Sequence, residues 1–470
     1  MVGLFKKPGD KPEKEFKVGA PPPRPAPAAP GGVPAGPIPA ALKEPRLMSL
    51  DAYRGAIMLL MASAGLQMAK VVKNLTEAGV GLEDSQMKFA RLAAWQLEHV
   101  RWTGGVLWDM IQPAFMFMVG AALPFSYARR AARGDSYFSR LWHALVRSIV
   151  LILLGVFLSS RGEQTDWIFT NVLAQIGLGY LVVFLFVNKP WWLQTAAVVA
   201  VLGASWYAFQ QHPLPTPEDY AAVNVPEKVE EEVVENGAVV KKEVDNPERQ
   251  PGELAHWSKN TNFAAVEDRT ILNWFPRKEP FLFNAGGYTT LNFFPSIATM
   301  LLGLMCGEWL RTPREPGVKL VRLVLIGAVC LGVGLALGYT ICPIVKRIWT
   351  PSWALYSGGI VILMLAAFYA IFDVAGFRRL ALPLAVVGTN SLLFYLMSQW
   401  LKPWTVRTIH THLDEPYAKF TTWLAAQTGI EYSPKLYDGP WGPLYESLGV
   451  LFVFWLVCLW LYRQRLFVRL

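Results

Sequence analysis

Apolar runs of close to twenty residues recur along this chain, and the charges collect in the short stretches between them. A helix of about 20 apolar residues spans the ~30 Å hydrocarbon core of a bilayer. The pattern therefore predicts spans over 48–69, 104–126, 143–159, 168–187, 191–209, 290–310, 318–341, 352–373, 380–400 and 443–462. The fold class it predicts is an all-α polytopic membrane protein of about ten transmembrane helices. Two stretches break the alternation. Residues 211–289 open on prolines and acidic residues, close on FLFNAGGYTTLNFFP, and predict an irregular extracytoplasmic insert. Residues 401–440 mix Pro, Tyr, Trp and Gly and predict an outer loop over the same face. Residues 1–44 hold too little apolar surface to order themselves, and they lack a signal-peptide core. They predict a disordered Pro/Ala-rich cytoplasmic tail. The core then divides into a first half, 45–210, and a second half, 290–470, of five helices each.

Composition sharpens this division. As a soluble protein, 470 residues would make roughly three domains. With 53% hydrophobic and only 17% charged residues, the membrane reading is preferred. The net charge of +9 does not form a nucleic-acid stripe. Arg129, Arg130, Arg133, Arg311, Arg314, Lys319, Arg378, Arg379, Arg463 and Arg465 instead fall in alternate short loops, whereas the large insert carries the acidic VPEKVEEEVVENG. The positive-inside rule then places both termini in the cytoplasm. Cys306, Cys330, Cys342 and Cys458 lie in or beside apolar runs without CxxC spacing, as buried free thiols do. HTH at 410–412 lacks a third ligand, so no metal site is expected. No repeat at fixed spacing is visible, which weighs against an inverted-repeat transporter.

Ionisable groups within apolar segments need a reason to be there. In SLDAYRG, Ser49, Asp51 and Arg54 open the first span. Asp51 and Arg54, three apart, share a helix face and can pair, and Asp51 also suits a helix N-terminus. The functional alternative is that Arg54 grips a phosphate from the cytoplasmic side. In WQLEHVRWTG, His99 precedes the second span, with Asp109 about two turns further on. The plain reading is an interfacial histidine and a capping acid. The reactive reading is a base oriented by a carboxylate, with Asp109 favoured over Glu98. Asn171 and Gln175 share one face of the fourth span, and Asn390 and Ser391 lie in the ninth. They either bond neighbouring helices or line a polar cavity.

Four blocks, RLMSLDAYRG at 46–55, EHVRWTGGVLWDMIQPAFMFMVG at 98–120, KRIWTPSWAL at 346–355 and VGTNSLLFYL at 387–396, together resemble the transmembrane heparan-α-glucosaminide N-acetyltransferase family. The resemblance implies transfer of an acetyl group from cytosolic acetyl-CoA to a sugar, typically an amino sugar, across the membrane. His99 matches the family's essential histidine. The family's lysosomal enzyme has an active-site asparagine about a dozen residues upstream, whereas EDSQMKFARLAAW here has none. On this reading His99 and Asp109 are catalytic, with His99 a general base or an acetyl carrier. Ser49, Asp51, Arg54, Asn390 and Ser391 hold acetyl-CoA, and Trp102, Asn171 and Gln175 meet the acceptor. The expected partners are acetyl-CoA, a glycan or amino-sugar acceptor and the lipid bilayer, with a homodimer allowed and nucleic acid excluded. The expected location is a bacterial inner membrane. Two other function classes stay open: a transporter whose path is lined by Asp51, Arg54, Asp109 and Asn390, and a scaffold in which all these groups are structural.

Overall fold

Backbone polar groups have no water to bond inside lipid, so each apolar run satisfies its own as a helix. The computed structural model describes residues 47–235 and 238–467. The expected tail at 1–44 lies outside the described residues. Seven described helices are long and apolar enough to cross a bilayer, and two bent pairs bring the number to nine. The long ones begin with α4 (Ile111–Ala132), which a 3₁₀ turn at Leu107–Met110 leads into, followed by α5 (Tyr137–Ser159) and α7 (Trp191–Gln210). They continue with α10 (Phe293–Arg311), α11 (Pro316–Thr340), α12 (Pro351–Tyr369, extended to Val374) and α16 (Gly442–Arg463). At the predicted fourth span stands the shorter apolar helix α6 (Val172–Leu185).

Two expected spans are broken. The first comprises α1 (Met48–Ala62) and α2 (Met68–Glu77), bent by 43°. Between them Ala64, Gly65, Leu66 and Gln67 have φ of 49°, 65°, 53° and 52°. Left-handed backbone costs a residue with a Cβ roughly 1–2 kcal/mol, so this run persists only where its surroundings hold it. Gly65 packs so tightly on the Leu97 carbonyl that a Cβ would collide with it. The ninth span comprises α13 (Arg378–Gly388) and α14 (Ser391–Trp400), bent by 58°. Helices also fill two stretches expected to be loops: α3 (Ser85–Leu97) before His99, and α15 (Lys402–Thr428) within 401–440.

Of the seven long helices, α4, α10 and α12 are the most buried. Lipid tails are as apolar as leucine side chains, so close backbone approach, not hydrophobicity, joins membrane helices. A Cβ at Gly120 would strike the Met300 carbonyl, and one at Gly303 the Phe117 carbonyl. The pair α1 and α13 meets in the same way, through Gly55 on Leu384 and Gly388 on Asp51. By contrast α11 exposes Val318, Val321, Leu325, Val329 and Val333, as a lipid-facing helix must. The insert holds α8 (Pro217–Ala222), an antiparallel hairpin of β1 (Lys228–Glu235) and β2 (Ala238–Asp245), and α9 (Phe263–Leu272). Its fully buried Trp257 stacks on Phe209 at the end of α7, with ring centroids 4.5 Å apart.

Candidate active site

The segment after α3 has no helix of its own and is held from outside. Thr103 bridges to Val345, and the Gly104 N–H donates to the Ile344 carbonyl at 2.8 Å. Arg347 donates to the Val100 carbonyl at 3.3 Å and to the Gly286 carbonyl at 2.6 Å. The Trp102 indole donates to the Trp257 carbonyl at 3.0 Å. The loop between α11 and α12 and the insert thus set the position of His99.

Asp109 sits in the 3₁₀ turn, its side chain only 1% exposed. Its Oδ2 receives the Val100 and Val106 N–H groups at 3.3 and 3.4 Å. Its Oδ1 lies 2.7 Å from Nδ1 of His99 and 3.2 Å from Nζ of Lys346. Nζ is also 3.3 Å from His99 Nδ1. An ionised carboxylate only accepts, so Nδ1 carries the imidazole proton and Nε2 presents the free lone pair. The His99 side chain is 40% exposed, whereas that of Lys346 is 5% exposed. Burial pushes the Lys346 ammonium down to about 8, with the adjacent Asp109 carboxylate pulling the other way. Its Nζ donates to the Asp109 carboxylate, the charge partner that burial leaves it.

The residues predicted as a site divide into two sets. His99 and Asp109 do come together. Glu98 turns away from them and lines a cleft of about 760 Å³, with Gly65, Gln67, Lys402, Arg407 and Glu446 among its walls. Trp102, expected to face the acceptor, is 1% exposed and presents no face to a ligand; the insert covers it. Asn171 caps α6 and bonds the Tyr395 hydroxyl at 3.2 Å. Gln175 is buried and donates to the carbonyls of Phe169 and Thr290 at 2.8 and 3.0 Å.

At the other end of α12, Asp373 accepts the N–H groups of Met48 and Ser49 at 3.1 and 3.0 Å. Arg54 stands 4.0 Å from Asp51. The buried Asn390 donates to the Leu466 carbonyl at 3.1 Å, and Ser391, half-buried, starts α14. Lys346 is the site residue that sequence reasoning does not single out. Its one signal is its place at the head of the KRIWTPSWAL block. Among the described residues no group of three His, Cys, Asp or Glu side chains is placed to hold a metal ion.

The family described as heparan-alpha-glucosaminide N-acetyltransferase, catalytic, matches residues 84–226. The human protein named heparan-alpha-glucosaminide N-acetyltransferase is 26% identical over 145 residues, covering 30% of this chain and 18% of its own length. The chain therefore spans less than a fifth of that relative. The matched stretch includes His99, Asp109 and the start of the insert, while the blocks at 46–55, 346–355 and 387–396 lie outside it. Over residues 84–226, the chain is thus similar to the heparan-alpha-glucosaminide N-acetyltransferase catalytic family.

Proposed function

We propose that the protein is an integral membrane acyltransferase that moves an acetyl group from cytosolic acetyl-CoA to an extracytoplasmic sugar acceptor, an amino sugar by preference, with His99 as general base. The observation that carries this reading is the His99 imidazole. Its Nδ1 is tied to a buried carboxylate, and among the described residues its Nε2 has no hydrogen-bond partner. Such an imidazole is oriented, in one tautomer, and open on its reactive side.

In the proposed reaction the acceptor amine attacks the thioester carbonyl while Nε2 takes the proton it sheds. The C–N bond forms, the tetrahedral intermediate expels the thiolate, and the imidazolium returns its proton to sulfur. Asp109 stabilises the imidazolium between the two steps.

The charge pattern supports a cytoplasmic location for both termini and for the α1 end of the bundle, as in a bacterial inner membrane. From Pro351 to Asp373, α12 rises roughly 30 Å, about the thickness of the hydrocarbon core. The proposed donor site at Ser49, Asp51, Arg54, Asn390 and Ser391 thus stands one bilayer away from His99, a distance the slender pantetheine arm of CoA has to cover in part. Arg54 is the residue suited to a CoA phosphate.

Purified protein, labelled acetyl-CoA and a panel of amino sugars and glycans, read by mass spectrometry, test the proposal. Wild type should acetylate at least one acceptor, and His99→Ala should lose that activity while keeping its melting temperature. Transfer that survives unchanged in His99→Ala would remove the assignment. Uptake of a glycan into proteoliposomes with no consumption of acetyl-CoA would favour transport instead.

A further inference from the structure

We infer that Lys346 is a positioning residue whose ammonium group keeps the His99 imidazole uncharged, so that Nε2 stays able to accept a proton. Its use in catalysis rests on the acyl-transfer reading above, but its electrostatics stand on the geometry alone.

An aspartate bonded to a histidine favours the imidazolium, because the carboxylate stabilises the added charge. A base that is already protonated accepts nothing. At this site a single carboxylate oxygen faces two groups able to be cationic, with Lys346 Nζ at 3.2 Å and His99 Nδ1 at 2.7 Å. The ammonium and the ring nitrogen are 3.3 Å apart. A second positive charge on the ring would sit against the ammonium and share its counter-ion. Lys346 is the more deeply buried of the two and depends on the carboxylate the more. A proton added to the partly exposed ring would therefore meet the repulsion of an ammonium already seated on the shared carboxylate oxygen.

The surrounding groups do not supply the missing charge. Arg347, next in the chain, spends its guanidinium on the carbonyls of Gly286 and Val100 and lies over the Tyr288 ring, 5.5 Å from its centroid. Tyr288 is held protonated, its phenol raised by burial. Tyr356 of α12 also lies within range of the Asp109 charge. Glu98 is exposed and lines the cleft. Asp109 is thus the carboxylate that both Lys346 and His99 contact among the described residues.

The test reads His99 directly. Diethyl pyrocarbonate modifies only uncharged imidazole, so the pH dependence of carbethoxylation on the His99 peptide, followed by mass spectrometry, gives its protonation midpoint. Lys346→Met should move that midpoint up by about one unit or more. Lys346→Gln, uncharged but still able to donate to Asp109, should do the same and guards against a packing defect in the methionine variant. Lys346→Arg, which restores the charge, should return the midpoint to within about 0.3 unit of wild type. The acid limb of kcat/KM for acetyl transfer should shift in parallel. An unchanged midpoint in the folded uncharged variants would overturn the inference. A shifted midpoint in a protein that acetylates nothing, wild type included, would remove the acyl-transfer reading and leave the role of Lys346 intact.

Discussion

The two ends of α12 gather polar residues in opposite ways. At the Pro351 end, His99, Asp109 and Lys346 come from separate segments, and two of the three side chains are almost fully buried. At the Asp373 end the contacts are those any helix terminus needs: a carboxylate on the first N–H groups of α1, and Asn390 on a carbonyl beyond α16. The second arrangement uses the Asp373 carboxylate and the Asn390 amide in closing the fold. The first leaves one nitrogen, Nε2 of His99, unused after considerable charge has been buried around it. Burying charge without structural need is how a reactive group is recognised, and the contrast gives a way to rank mutations.

The largest effect should come from Asp109→Ala. It strands the Lys346 ammonium in the interior and frees the His99 ring. Breaking a buried pair costs about 3–5 kcal/mol, and loss of the orienting carboxylate should lower acetyl transfer about a thousandfold or more. Thermal melting and the acetylation assay read the two consequences separately. Wild-type melting and turnover in this variant would erase the distinction between the two ends.

Next in size is a pH effect belonging to the same Pro351 end of α12. Asp268 of α9 accepts the Thr290 N–H at 2.8 Å, while its Oδ1 is buried with no partner among the described residues. Burial pushes its carboxyl up to about 6 from the usual 3.8. The folded state therefore holds this proton more tightly than the unfolded chain does. The resulting stability is fully present below 3.8 and is lost as pH rises through 6. By pH 7 that amounts to on the order of 3 kcal/mol. Asp268→Asn should flatten this dependence and raise the melting temperature at pH 7 while leaving that at pH 4 unchanged.

How much of this contrast the sequence revealed depends on distance along the chain. Apolar runs located the spans, since length and hydropathy are local properties. His99 and Asp109 are ten residues apart, and a short irregular loop is enough to join them. Lys346 is 237 residues from Asp109, and a lone lysine beside Arg347 in a short loop reads as an interfacial cation. Trp102 reads as an interfacial aromatic because its cover, Trp257, lies 155 residues away. The break at Ala64–Gln67 is invisible to hydropathy, because ASAGLQM continues the apolar run and backbone handedness leaves no mark on composition. The helix α15 reads as a loop because its polar and aromatic residues alternate on every side, around Pro416, without an apolar stripe.

Asp373→Ala probes the other end of α12. It removes the acceptor for two N–H groups at the start of α1, and a lost cap costs about 1 kcal/mol. Because the defect lies a bilayer's thickness from His99, kcat should not change. A fall in kcat without a fall in stability would show that the Asp373 end reaches the chemistry.

The sharpest functional question belongs to Arg54. Its partner Asp51 is 4.0 Å away and both side chains are partly exposed, at 25% and 14%. A pair of that length and exposure contributes no more than about 0.5 kcal/mol, so loss of the Asp51 contact is in itself a small cost of Arg54→Ala. If Arg54 grips a CoA phosphate, the same variant should raise KM for acetyl-CoA several-fold, with kcat and the KM for the acceptor unchanged. That pattern marks a group that binds substrate and transition state equally. Arg54→Lys should recover only part of the affinity, since an ammonium cannot reproduce the bidentate geometry of a guanidinium on phosphate. Unchanged kinetics in both variants would make the α1 end wholly structural and move the donor site elsewhere in the bundle.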